Sequence, residues 1–140
     1  MKINYQTFND NSLLVVRFEG KFCIDRYKQH VLYMKETPEW NSIEKNLVDL
    51  RPIVDFKLEI EDIQTIVDIG NNFIKKNILS VQLVDKPMLT VLTHLIQKEF
   101  SEYNLKSDYC TTISKAIELL NINFEEIELS KMLDNLEHTF

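Results

Sequence analysis

The stretch that decides the fold is KNLVDLRPIVDF, from Lys45 to Phe56. It begins with a short, largely apolar run, which is typical of a buried strand in a sheet. Charged residues and Pro52 follow at once, so the predicted strand runs directly into a loop. In open α/β sheets, ligands bind outside the carboxyl ends of the parallel strands. The loop after this strand is therefore the first place to look for a functional site.

Four other segments carry strand patterns. In Lys2–Phe8 the side chains alternate between a solvent-facing and a core-facing side of a predicted strand. The turn-forming residues Asn9–Ser12 separate it from a second strand, Leu13–Gly20. Two strands joined by a short turn predict an antiparallel hairpin. Strands are also predicted at Lys45–Leu50, Ile78–Val84 and Asn104–Cys110.

Apolar residues at helical spacing predict five helices between and after these strands. The first runs from Ile24 to Glu36 and stops before Pro38, and the second runs from Glu61 to Lys76. Thr111 or Thr112 caps the fourth helix. The third has the clearest apolar stripe: Met88, Val91, Leu92, Leu95 and Ile96. The last, capped by Asn123, has another: Phe124, Ile127, Met132, Leu133 and Leu136.

The order of these elements predicts an α/β fold. It is β-β-α-β-α-β-α-β-α plus a C-terminal helix, which favours a mainly parallel five-stranded sheet with an antiparallel first edge strand. We take residues 1–122 as the domain and 123–140 as an additional amphipathic helix. Its apolar stripe must be buried, either on the same globule or in a homodimer contact.

The composition is that of one globular domain. The chain has 140 residues, of which 44% are hydrophobic and 27% charged. A net charge of −6 argues against nucleic acid and anionic membranes as partners. The sequence shows neither an apolar run of roughly 18 residues nor a signal-peptide h-region, so membrane insertion and secretion are not expected. Two distant cysteines, Cys23 and Cys110, predict free thiols and a cytoplasmic protein.

The segments of the chain also follow a familiar order. The hairpin is followed by GKFCIDRYKQHV, PEW, KNLVDLRPI, LSVQLVDKPMLTVLTHLIQ and YCTTISKAIELLNI. In pattern and order, residues Lys2 to Ile122 resemble the STAS-like family. More narrowly, they are similar to bacterial proteins described as anti-sigma-factor-antagonist-like, which are grouped with CRAL-TRIO lipid-transfer folds. The resemblance implies a non-enzymatic regulatory domain that binds a partner protein, and we expect no cofactor.

One feature of the family is missing from this chain. The resemblance implies a phosphorylated Ser or Thr after the third strand, near an Asp-Leu pair and a second Asp. Asp49 and Asp55 match those positions, but Phe56 and Lys57 stand where the hydroxyls belong. No Ser or Thr occurs from residue 45 to residue 64. The phosphorylation switch therefore does not carry over.

The candidate binding residues follow the third and fourth predicted strands. Asp49 and Arg51 lie at the carboxyl end of the third, Asp55 comes after it, and Asp85 and Lys86 follow the fourth. If these strands are neighbours, two acids and two bases converge at one edge of the sheet and form a small polar binding site or a protein-docking surface. The alternative is a solvated loop in which Asp49 or Asp55 accepts hydrogen bonds from backbone amides.

Signals for catalysis are weak. His30, His94 and His138 lie on different predicted helices without a metal-ligand partner at a known spacing, so we expect no metal site. The sequence has no Gly-x-Ser-x-Gly elbow and no Gly-rich phosphate loop. Asp49, Asp85 and His94 would be the nearest catalytic candidates, but nothing in the sequence joins them. We therefore expect a protein that is not an enzyme.

Aromatic residues gather around the first predicted helix: Phe18, Phe22, Tyr27, Tyr33 and Trp40. A packed core accounts for them, because aromatic side chains bury large areas in any small domain. They are also compatible with a cavity for a small molecule or lipid between the first helix and the sheet. This second interpretation keeps a ligand-binding domain as the alternative function.

Overall fold

The structure, a computed structural model, describes residues 1–56, 59–74, 77–100 and 106–140. Its strands are β1 (Lys2–Phe8), β2 (Leu13–Lys21), β3 (Lys45–Asp49), β4 (Ile53–Asp55), β5 (Leu79–Leu83), β6 (Lys106–Cys110) and β7 (His138–Thr139). Its helices are α1 (Ile24–Lys35), α2 (Ile60–Phe73), α3 (Pro87–Phe100), α4 (Ile113–Leu120) and α5 (Glu126–Asp134), with a short 3-10 helix at Pro38–Ser42. The predicted helix end at Lys76 and strand start at Asn104 lie outside the described residues, as does Lys57.

The predicted α/β architecture is confirmed. The strands pair in the order β6-β5-β3-β2-β1-β7, and β4 pairs with β2 off this path. Strands β2, β3, β5 and β6 run parallel, and β1 runs antiparallel to β2 as the hairpin prediction required. Each parallel crossover contains a helix, which is why the chain alternates between the two hydrophobic periods.

The predicted five strands and edge position of β1 are wrong. Within the described residues the sheet has seven strands, and β7 pairs with the outer side of β1 through Asn4↔Thr139 and Tyr5↔His138. Strand β4 pairs in parallel with the last residues of β2, and the register shifts between Gly20 and Lys21. Gly20 has a φ of +83°, a conformation that glycine adopts without strain. Strands of two or three residues are too short to show an alternating pattern, so they could not be predicted from the sequence.

Side chains on alternate sides of the sheet form two cores. Leu13, Val15 and Leu47 pack with α4 and α5 on one face. Leu14 and Val16 belong to the core on the other face, which includes residues of α1, α2 and α3. The molecule is therefore a three-layer arrangement with the sheet in the middle, and the central strands β2 and β3 contribute to both cores.

Helix α5 packs on the sheet of its own chain. Leu129 and Leu133 are buried, and the Arg17 Nη1 atom of β2 donates a hydrogen bond of 2.8 Å to the Leu133 carbonyl. Glu125 and Glu128 form a capping box at the start of the helix. The homodimer that the same apolar stripe suggested stays a prediction. In the described part of the chain, no helix is both long and apolar enough to cross a membrane.

Candidate functional site

The loops after β3 and β5 meet at one edge of the sheet. The two strands are parallel neighbours, with Asp49 opposite Leu83, and the Leu50 N–H donates to the Leu83 carbonyl at 2.9 Å. Lys86 reaches across and donates a hydrogen bond from Nζ to the Arg51 carbonyl. The structure thus brings together four of the five residues that the sequence singled out.

Asp49 and Arg51 form the centre of this group. The Asp49 carboxylate is fully buried and accepts bonds from Arg51 Nε at 2.8 Å and Nη2 at 2.9 Å. It also accepts the Arg51 backbone N–H at 3.2 Å, the turn bond that the alternative interpretation proposed. Its bonding to Asp49 raises the pKa of Arg51 above its ordinary value. Arg17 Nε also lies 3.8 Å from this carboxylate. Because its carboxylate interacts with both arginines, the role of Asp49 is to hold the loop in place.

The remaining charged residues face solvent. Asp85 pairs with Lys86 at 3.2 Å, and about half of each side chain is exposed. Asp55 lies apart from this group and pairs with Lys21 at 3.8 Å across β2 and β4. Exposed pairs of this kind contribute little stability, so the Asp55 and Asp85 side chains are not needed to hold the fold.

The candidate catalytic residues do not share the cavity of the fold. Asp49, Asp85 and His94 are absent from the described residues that line it. His94 instead contacts the Tyr109 ring at 6.0 Å between centroids. Both thiols are free, as expected: Cys23 is exposed, and burial raises the pKa of Cys110 to about 11.

A cavity of about 130 Å³ lies between α1 and the sheet and is bounded on its far side by α2 and α3. Aromatic rings form much of its wall near α1: Phe18, Phe22, Tyr27 and Trp40 all line it. Tyr33, the fifth aromatic residue of the sequence argument, does not line it and contacts Tyr5 and Phe140 instead. The space that the alternative function requires is therefore present.

The sheet side of this cavity carries a row of polar side chains that sequence reasoning missed. Ser107 donates to Gln82 Oε1 at 3.0 Å, Gln82 Nε2 donates to Ser80 Oγ at 2.9 Å, and Asn46 Nδ2 approaches the same oxygen at 3.4 Å. The row crosses β6, β5 and β3. A parallel sheet covered on both faces normally presents apolar side chains to its helices. Polar residues at alternating positions of these strands were therefore the sequence signal that could have indicated a polar row.

His30 of α1 adds a buried polar group to the same cavity. Its exposed fraction is 3%, and burial lowers its pKa to about 4, so the ring is neutral at pH 7. Among the described residues, neither His30 Nε2 nor Asn46 Oδ1 has a hydrogen-bond partner. Unpaired buried polar atoms are rare in folded proteins, so these two atoms distinguish the cavity from an ordinary apolar core.

Helix α3 presents an apolar surface to solvent. Leu89 and Leu92 are buried, whereas Met88, Val91 and Leu95 are 62%, 56% and 42% exposed. These three side chains, which we call the α3 stripe, lie three and four residues apart and so share one face of the helix. The sequence predicted the helix but not that part of its apolar stripe would stay outside the core.

Comparison with known proteins supports the fold. No protein-family model matches the sequence, and no curated protein matches it. A solved structure of the anti-sigma factor antagonist SpoIIAA in its unphosphorylated form is similar, with a TM-score of 0.52 and 8% identity, over 85% of this chain and 97% of that one. At this level of identity the likeness concerns the fold. The chain therefore has the STAS-like α/β fold that its sequence resembles.

Proposed function

We propose that this chain is a non-enzymatic, cytoplasmic regulatory domain that binds a partner protein through the α3 stripe and the adjoining loop after β3. The observation that carries the proposal is the exposure of Met88, Val91 and Leu95 on one face of a helix. Contiguous apolar residues on a surface with a polar rim are typical of protein-interaction sites.

The charged residues at the edge of the sheet lie beside this surface. Lys86 directly precedes α3 and is tied to the loop after β3 through the Arg51 carbonyl. Asp85 and Lys86 would thus lie at the rim of the interface with a docked partner. Charged groups at a rim affect specificity and association rate more than affinity. Asp49 and Arg51 fix the backbone of the rim, while Asp55 lies outside this group.

The proposed regulation does not use a phosphorylated hydroxyl in this loop. The SpoIIAA structure is that of an anti-sigma factor antagonist in an unphosphorylated form, and the likeness of fold supports a regulatory role here. The sequence from residue 45 to residue 64 has no Ser or Thr. We therefore propose that partner binding here is controlled by something other than phosphorylation at this position.

Replacing Val91 and Leu95 together by Glu tests the docking surface. Both side chains are exposed, so the fold should survive, while two carboxylates would enter an interface that favours apolar contact. Cross-linked partners are first identified by mass spectrometry from the cells that make this protein, and the purified partner is then titrated. We expect the dissociation constant to rise by at least about tenfold, since hot-spot losses exceed 1.4 kcal/mol.

Ile127→Glu provides the matched control. Ile127 is 63% exposed on α5, on the opposite face of the sheet, so the change adds one of the two charges of the α3 variant at a comparably exposed apolar site. This variant should bind the partner as the unchanged protein does. Equal affinity of the partner for the unchanged protein, the control and the α3 variant would show that the stripe is not the docking surface.

The cavity supports a second candidate function, the binding of a small molecule or lipid. Its volume of about 130 Å³ and its unpaired polar atoms are the observations in favour. The two functions are compatible, because Leu92 and Ile96 of α3 line the cavity while the α3 stripe on the same helix faces solvent. A ligand could therefore act on the docking helix from within.

A further inference from the structure

The size of the cavity limits what it can hold. An engineered protein cavity of about 150 Å³ binds benzene, so the 130 Å³ found here corresponds to a single small ring rather than a long lipid chain. Aromatic and aliphatic side chains make up most of its wall, including Phe18, Tyr27 and Leu92. The body of a ligand must therefore be compact and apolar.

The charge of the cavity limits the ligand further. None of the described residues that line it is an Asp, Glu, Lys or Arg, and His30 is neutral at pH 7 because its pKa is about 4. A carboxylate or an ammonium group would lose its water without gaining an ion pair, which is costly in an apolar site. The ligand must therefore be uncharged.

The polar atoms of the cavity define what the ligand should offer. Asn46 Oδ1 is a buried acceptor without a partner among the described residues, and a carbonyl oxygen can be satisfied only by a donor. Ser80 Oγ already receives the Gln82 amide at 2.9 Å, and Thr93 bonds to the Leu89 carbonyl at 2.8 Å. His30 Nε2 is a second unpaired buried atom among the lining residues.

We infer that the cavity binds a neutral, ring-sized molecule that carries an O–H or N–H donor, with the donor on Asn46 and the ring among the aromatic side chains of α1 and β2. The geometry behind this assignment is the polar row on the sheet opposite an apolar wall. The inference rests on the second candidate function, since it names the class of ligand for that cavity.

Phenol and toluene form the matched pair of probes for this inference. They share the ring and nearly the same volume, but only phenol has a donor. We expect phenol to bind with a dissociation constant roughly fivefold or more below that of toluene, as one satisfied hydrogen bond would give despite the greater hydrophobicity of toluene. Isothermal titration measures the affinities. NMR shift changes at Asn46, Ser80 and Ser107, but not at distant Ile127, locate the bound probe.

The Asn46→Leu variant tests the residue itself. It replaces an amide with an apolar group of similar size and should abolish the preference for phenol while leaving toluene bound. Because the comparison of phenol with toluene needs no variant, the test survives even if this one folds poorly.

Three results would overturn the inference in distinguishable ways. Toluene bound as tightly as phenol would disprove the donor requirement and leave ligand binding in place. Binding that shifts residues away from the cavity would disprove the site. Failure of both probes to bind at millimolar concentration would overturn the inference together with the ligand-binding function.

Discussion

At the scale of single residues, Asp49 is the charged group on which the loop after β3 depends. It is fully buried between Arg51 and Arg17 and shares three hydrogen bonds with Arg51. The structure therefore changes the role that the sequence suggested for it. Asp49 holds the loop in place, and the exposed residues around it are the ones that a partner can reach.

Replacing Asp49 with Ala should destabilise the protein strongly. The change leaves Arg51 and Arg17 partly buried without their shared carboxylate, and breaking a buried pair in this way typically costs about 3–5 kcal/mol. Urea unfolding measures the loss. Asp85→Ala is the control, because Asp85 is half exposed and its pair with Lys86 should contribute less than about 1 kcal/mol. Similar losses for both variants would mean that Asp49 behaves as a surface residue.

His30 makes stability depend on pH. Its pKa is lowered by burial to about 4 in the folded state and is 6.5 in the unfolded chain, so the unfolded chain binds more protons between these values. Stability from the neutral ring is complete above about pH 6.5 and is lost as the pH falls toward 4, by about 3 kcal/mol in total.

The variant His30→Phe should remove this part of the pH dependence. Phe keeps the ring contacts with Tyr5 and Phe140, whose centroids both lie 5.3 Å from His30, but cannot take up a proton. Urea unfolding of both proteins at pH 7.5 and pH 5 gives the comparison, and His94→Gln on the exposed side of α3 serves as control. Parallel losses of stability in the unchanged protein and His30→Phe would show that His30 does not carry the effect.

At the scale of elements, the parts that could be predicted are those with a repeated pattern. The first strand and the five helices show period 2 or period 3.6, and the third strand shows a short, largely apolar run. Strands β4 and β7 could not be predicted, because their pairing uses backbone groups and two or three residues carry no period. Periodicity also could not tell which apolar face of α3 is buried, since Met88 and Leu89 are both apolar neighbours and only packing separates them.

The chain after α5 shows how long-range contacts escape a sequence pattern. The chain runs from the α4–α5 side of the sheet to the α1 side, and on the way it pairs with β1 as strand β7. On the α1 side, the centroid of the Phe140 ring lies 5.3 Å from that of the His30 ring. The Phe140 N–H donates to the Ile3 carbonyl at 2.8 Å. This segment thus closes an edge of the sheet that would otherwise expose unpaired backbone groups. The partners are more than 100 positions apart, and no local rule connects them.

At the scale of the whole molecule, the two faces of the sheet differ in character. The face under α4 and α5 is packed with apolar side chains such as Val81 and Leu83. The face toward α1, α2 and α3 holds the cavity and the polar row. A buried row of hydrogen-bonded polar side chains gives at best the same folding free energy as apolar packing. Stability alone would therefore favour apolar side chains on both faces of the sheet. The polar face is the feature that the proposed ligand-binding function of the cavity accounts for.

Converting the whole polar row to apolar residues should leave stability unchanged or raise it by about 1 kcal/mol, because donors and acceptors are removed together. The variant combines four changes: Asn46→Leu, Ser80→Ala, Gln82→Leu and Ser107→Ala. The single change Gln82→Leu should instead cost about 1–2 kcal/mol, since it leaves the Ser107 hydroxyl without its acceptor and Ser80 with only the more distant Asn46 amide as a donor. Urea unfolding gives the free energy of unfolding of the unchanged protein, the fourfold variant and Gln82→Leu. If the fourfold variant were less stable than the single one, the row would be a structural requirement of the sheet, and the argument that it is retained for a ligand would fail.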